Sequence, residues 1–210
     1  MNAFLHPAYS FFERGGPFMV FLLILSVVAL TVIILRSVSL RYNAVIPGKL
    51  RQMIDNYEPG ESLDPLNHFA SKDPSALASV TRVLLRHRKW PRAEALEAIQ
   101  TKARFTVSRL EKGLVVLEIT TGVAPLLGLL GTLSGLVGVF ANIGVTGDPT
   151  MVARGISEVL NTTIMGLAVA TPSLVAHNYF MRKVEIMAVE MESLLADLLQ
   201  KMYSGPAPRK

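Results

Sequence analysis

Three long runs without Asp, Glu, Lys or Arg restrict the fold of this chain more than any other feature. Pro17 to Leu35 is the first, 19 residues reading PFMVFLLILSVVALTVIIL. Ile119 to Gly147 and Val159 to Met181 are the others. The hydrocarbon core of a bilayer is about 30 Å thick and takes about 20 helical residues to cross, so each run is long enough. Backbone polar groups find no water there, and α-helix satisfies them within the segment. The expected fold is therefore an all-α membrane protein, three transmembrane helices with long cytoplasmic helical extensions. A short, nearly neutral turn joins the last two runs into an antiparallel pair.

Within that pair the small and polar residues are placed selectively. Gly128, Gly131, Gly135 and Gly138 follow one another at intervals of 3, 4 and 3, which puts them on one helical face. Association between helices in lipid depends on close backbone approach, so this stripe is a packing surface. Thr132 lies inside it. The facing run opens on Glu158 and carries Asn161, Thr162 and Thr163. An ionisable side chain within a span costs roughly 2.5–3.5 kcal/mol on insertion scales and points to function. The alternative is that Glu158 lies near the outer interface and reaches into the headgroups, leaving the glycines as a plain packing seam. With the turn near Gly147-Asp148, Thr132 and Thr163 are almost equally far from it and meet at one depth. Glu158 then lies roughly 7 Å nearer the outside than Thr163, at about 1.5 Å per residue. By helix geometry Thr162 shares the face of Glu158 more nearly than Thr163 does.

The segments GVAPLLGLLGTLSGLVGVF and GISEVLNTTIMGLAVATPSLVAHNYF resemble the ExbB/TolQ proton-channel proteins, three-span relatives of the flagellar motor protein MotA. The resemblance is close over about residues 110–185 and extends to the rest by layout. It implies pore-lining threonines at Thr132 and Thr163 and a glutamate of the ion pathway at Glu158. Spacing favours Thr162 beside Glu158, and both threonines are kept. Asn161 and Thr162 stand where the family has small or apolar residues, and Thr171 replaces an apolar residue before Pro172. No family role transfers to Glu118, which reads as a carboxylate at the cytoplasmic interface.

One carboxylate and one hairpin make no pore, so the site needs several copies. The resemblance implies a homo-oligomer, a pentamer in the family, enclosing a dimer of a single-span ExbD/TolR-like partner, with a TonB/TolA-like energy transducer beyond it. The function implied is a proton-channel, stator-like subunit of an inner-membrane motor. It would convert the proton gradient into movement of a partner that energises transport or maintenance at the outer membrane. A passive oligomeric scaffold without ion conduction is the alternative, and an enzyme is not expected.

The net charge of +5 raises the question of nucleic acid, and position answers it. Residues 36–112 carry 14 basic and 8 acidic side chains with no aromatic-interleaved patch. The positive-inside rule accounts for them, placing that segment and the C-terminus in the cytoplasm and the N-terminus in the periplasm. Without cysteine there is no disulfide, thiolate metal site or thiol nucleophile. His6, His68, His87 and His177 are scattered without ligand spacing, so neither a metal nor a cofactor is expected.

In chain order, residues 1–16 are expected to form a periplasmic amphipathic segment, with Phe4, Phe11 and Phe12 among the headgroups. The first span is 17–35, and a cytoplasmic helical domain fills 36–112. Ser75 caps a helix through SALASVTRVLLRHRKW, with Leu77, Val80, Leu84 and Trp90 along one side. The run Arg86-His87-Arg88-Lys89 could meet anionic lipid or a partner, although a solvated face is its default. One continuous helix is expected from about 92 to about 143, its membrane part being 113–143. A periplasmic turn follows at 144–155, then a span at 156–181. Residues 182–210 continue as a cytoplasmic helix and mobile tail, with Ile186, Val189, Leu194, Leu198 and Met202 as its apolar stripe.

Overall fold

A computed structural model describes residues 16–146 and 149–204. The expected amphipathic segment 1–16 therefore lies, but for Gly16, outside the described residues. Everything else regular is helical: α1 (Gly16–Ser39), α2 (Tyr42–Val45), α3 (Gly48–Asp55), α4 (Asp64–Lys72), α5 (Ala76–Arg86), α6 (Arg92–Glu111), α7 (Leu114–Thr146) and α8 (Pro149–Tyr203). Three stretches are long and apolar enough to cross a membrane: Pro17–Ser39, Leu114–Ala141 and Gly155–Tyr203. The chain divides into two units, one of residues 1–35 and 113–179 and one of 36–112 and 180–210.

In the first unit α1, α7 and the first part of α8 pack around a narrow interior. Leu22, Ala124, Val169 and Ala170 are buried there, with Leu25, Leu127 and Met165 against them. The outward faces are apolar instead of charged. Phe21, Ile24, Val27 and Leu30 on α1 are exposed, as are Leu126, Leu133, Val137 and Phe140 on α7 and Ile164, Leu167 and Val175 on α8. Such a surface suits hydrocarbon or other membrane helices, not water. The expected turn at 144–155 is narrower on the backbone, which is helical through Thr146 and again from Pro149, with 147–148 outside the described residues.

The second unit is a small helical domain with its own core. Leu50, Ile54, Leu66, Leu77, Val80, Leu84 and Ile99 from α3 to α6 are buried, together with Val184, Met187, Met191, Leu195 and Leu198 from α8. Ser75 caps α5, its hydroxyl accepting from the Ala78 N–H at 3.2 Å. Side-chain to backbone bonds fix the elements. Arg82 Nη1 donates to the Asp73 carbonyl at 2.9 Å and to that of Ala70. Lys201 Nζ donates to the Asp55 carbonyl at the end of α3, 2.8 Å away. Tyr42 donates its phenolic proton to Glu190, and Arg51 Nη1 bonds both, 2.9 Å from Tyr42 Oη and 2.7 Å from Glu190 Oε1. Burial, and then the bond to the Glu190 carboxylate, raise the Tyr42 phenol above its ordinary value.

Three expectations need correction. The helix from about 92 to about 143 is broken: α6 ends at Glu111, and Gly113, at φ 90°, turns the chain before α7 starts. That left-handed backbone is open to glycine at little cost. The helix capped by Ser75 stops at Arg86, so Trp90 is not on its buried side but 47% exposed. On the last helix Ile186 and Val189 are exposed; the buried face runs through Val184, Met187, Met191, Leu194, Leu195 and Leu198.

A threonine cluster between two membrane helices

Several hydroxyls of the first unit bond one turn back along their own helix. Thr31 donates to the Val27 carbonyl, Thr120 to Val116, Thr171 to Leu167 and Ser173 to Val169, each at 2.8 Å, and Thr121 to Leu117 at 2.9 Å. A hydroxyl satisfied in this way needs nothing from a neighbouring helix. Thr132, Thr162 and Thr163 bond across to the neighbouring helix as well. Thr132 Oγ1, on α7, is hydrogen-bonded to Thr163 Oγ1 of α8 and lies 3.2 Å from Thr162 Oγ1. Two carbonyls close the cluster. That of Gly128 lies 3.0 Å from Thr132 Oγ1 and 3.3 Å from Thr163 Oγ1. The Val159 carbonyl lies 2.8 Å from Thr162 Oγ1 and 3.4 Å from Thr132 Oγ1. Thr132 and Thr162 are buried and Thr163 is half-buried.

Three hydroxyls thus have three protons to place, with two carbonyls and one another as acceptors. The cluster is satisfied without water and carries no net charge, which a low-dielectric interior tolerates.

Backbone proximity makes these contacts possible. A Cβ at Gly128 would stand 2.8 Å from the Thr162 carbonyl oxygen, and one at Gly166 would stand 2.6 Å from that of Ala124. Both are closer than side-chain carbons come, so only glycine fits at this crossing without movement. A Cβ at Gly131 would lie 3.0 Å from Thr162 Oγ1, and one at Gly135 would run into the Val159 side chain. Gly138 differs, since a Cβ there would meet no side chain among the described residues within 4 Å. Gly166 was not singled out by the sequence reading, although it lies four residues after Thr162 and so on the same face of α8.

The Glu158 side chain lies outside the described residues; its backbone is helical, one turn before Thr162 on α8. Asn161 is half-buried, and Glu118 is exposed on α7. His177 Nδ1 lies 3.2 Å from the Leu114 carbonyl, joining α8 to the start of α7. Among the described residues no three His, Asp or Glu side chains come together in a way that could hold a metal ion.

Together these features define a polytopic helical membrane protein with a hydroxyl cluster between its second and third crossing helices. Residues 70–193, more than half of the chain, match the model of the MotA/TolQ/ExbB proton channel family, and the chain belongs to that family. It is 26% identical over 204 residues to the biopolymer transport protein ExbB of Neisseria meningitidis serogroup A, covering 89% of this chain and 93% of that protein. It is 40% identical over 81 residues to ExbB of Helicobacter pylori strain J99, covering 38% and 56%. An ExbB homologue from Methanothermobacter thermautotrophicus is 28% identical over 151 residues, covering 72% and 53%. The chain thus spans about half the length of these last two relatives and nearly all of the first.

Proposed function

We propose that this chain is the proton-conducting, stator-like subunit of an inner-membrane motor that energises biopolymer transport or envelope maintenance at the outer membrane. The observation that carries the reading is the bond between Thr132 and Thr163, reinforced by Thr162, between two membrane helices. Glu158 stands about 7 Å along the helix from Thr163, on the periplasmic side in this reading. There its carboxylate is the one acidic group of that span and exchanges protons with the threonine cluster. The N-terminus is periplasmic, residues 36–112 and 182–210 are cytoplasmic, and 17–35, 113–143 and 156–181 cross the membrane. The exposed apolar faces of α7 and α8 support assembly of several copies, a pentamer, around a dimer of a single-span ExbD/TolR-like protein. A TonB/TolA-like transducer receives the movement.

Coupled activity of Glu158→Gln in cells, with membrane assembly followed by crosslinking, tests the reading. Loss of activity with assembly intact is expected. Activity at the unsubstituted level would leave Glu158 an interfacial residue and the chain a scaffold.

A further inference from the structure

The loop joining α5 to α6 is built to present an indole among exposed cations. His87 closes α5, its N–H bonding the Val83 carbonyl at 3.1 Å and its Nδ1 lying 2.8 Å from the same oxygen. The Trp90 N–H bonds back to His87, and the two rings pack edge to face at 4.1 Å. Tyr203 Oη donates to the Trp90 carbonyl at 2.7 Å, holding the loop from the end of α8. Trp90 nonetheless remains 47% exposed. Around it stand Arg86, Arg88, Lys89 and Arg92, all exposed, and none forms an ion pair among the described residues. Beside the loop opens a groove of about 630 Å³ lined by Val83, Trp90, Ala98, Lys102 and Phe105, with Glu94 and Glu97 on one wall. Phe105 is 58% exposed, and Lys102 Nζ stands 5.3 Å over its ring.

An ordered loop that keeps a large aromatic wet and leaves four exposed cations without an ion pair among the described residues offers complementary charge and an apolar seat in one place. The groove is bipolar. A uniform polyanion such as nucleic acid would bring phosphates against Glu94 and Glu97. A lipid surface presents a uniform layer of phosphates as well and meets the same two carboxylates, whereas a polypeptide places its charges residue by residue. We propose that this surface docks a short acidic segment of a partner protein. Its carboxylates would meet Arg86, Arg88, Lys89 and Arg92, and a large apolar side chain would enter between Trp90 and Phe105.

Trp90 is the one tryptophan of the chain, so its fluorescence reports the site directly. The full chain in neutral-detergent micelles would be titrated with a synthetic twelve-residue peptide of glutamate pairs separated by leucines. A saturable blue shift is expected. Binding should weaken about tenfold or more when ionic strength rises from about 50 to about 500 mM, as exposed pairs are screened. The Arg88→Glu/Lys89→Glu variant, checked for unchanged helicity, should weaken it as much, and replacing the leucines by serine should abolish the shift. No saturable response would overturn the proposal. So would a single-stranded oligonucleotide or phosphatidylglycerol vesicles binding as tightly as the peptide, because the surface would then be a general anion site.

Discussion

Gly128 and Gly166 face each other across the contact between α7 and α8. A Cβ on Gly166 would come within 3.1 Å of Gly128 Cα, and one on Gly128 within 3.2 Å of Gly166 Cα. The threonine cluster depends on that approach, because Thr163 reaches the Gly128 carbonyl across the same gap.

Gly166→Ala is therefore expected to push the helices apart. Overpacking against backbone, which cannot rotate away, costs about 1–3 kcal/mol. Thermal unfolding of the purified chain in detergent, followed by circular dichroism, should show a lowered midpoint. Gly138→Ala, where a Cβ meets no side chain among the described residues within 4 Å, should leave it unchanged or raise it slightly. Equal losses from the two substitutions would mean that crossing distance is not what the glycine supplies.

Thr163→Val removes a hydroxyl and keeps the shape. Hydrogen bonds between membrane helices average about 0.6 kcal/mol and reach about 1.7, so the fold should survive. Proton uptake into proteoliposomes holding the chain with the single-span partner proposed above should nevertheless fall at least tenfold, and Thr163→Ser should restore most of it. Uptake unaffected by valine would remove Thr163 from the pathway.

How much of this was legible beforehand depended on which forces each feature obeys. The meeting of Thr132 with Thr163 follows from counting outward from one turn, because two helices that start together stay in register over four turns; the bond to Thr162 does not. Gly166 was missed because the glycine stripe of α7 drew attention to one side of a contact that has two. The phase of the last helix was misread through Ile186 and Val189, which outrank Met187 and Met191 in hydropathy but face outward. A flexible thioether fills an irregular core as well as a branched aliphatic chain does. The break before α7 hung on a single backbone angle, and no periodicity of side chains encodes that.

That angle gives a further expectation. Gly113→Ala would force a side chain into φ 90°, a left-handed conformation costing about 1–2 kcal/mol. Gly48→Ala, with open space around its Cβ, serves as the control and should be neutral or slightly stabilising. Denaturant midpoints in mixed micelles would compare them; a destabilisation no greater at Gly113 than at Gly48 would show that the turn relaxes into a continuous helix.

The phenol of Tyr42 supplies a pH dependence. Its folded pKa is raised, by burial first and the Glu190 bond next. The unfolded chain therefore loses this proton first as pH rises. The stabilising contribution is complete below about pH 10, the ordinary tyrosine value, and is lost as the pH climbs from there through the folded pKa. Tyr57, shifted in the same direction by burial, adds to the effect. Melting midpoints at about pH 9 and about pH 11 should drop less for Tyr42→Phe than for the unsubstituted chain, and an equal drop in both would contradict the assignment.

The hydroxyls of the cluster form a string with a carbonyl at either end. Pointed one way, Thr162 donates to Thr132, Thr132 to Thr163 and Thr163 to the Gly128 oxygen. Pointed the other, Thr163 donates to Thr132, Thr132 to Thr162 and Thr162 to the Val159 oxygen. Both senses use the same number of bonds. A proton handed in at one end and released at the other leaves every donor reversed, so the string must turn over before it can serve again. Three β-branched side chains packed between glycines would have to swing their hydroxyl protons round together, so a seam used in the way proposed above would hold back each new proton until that reorientation was complete.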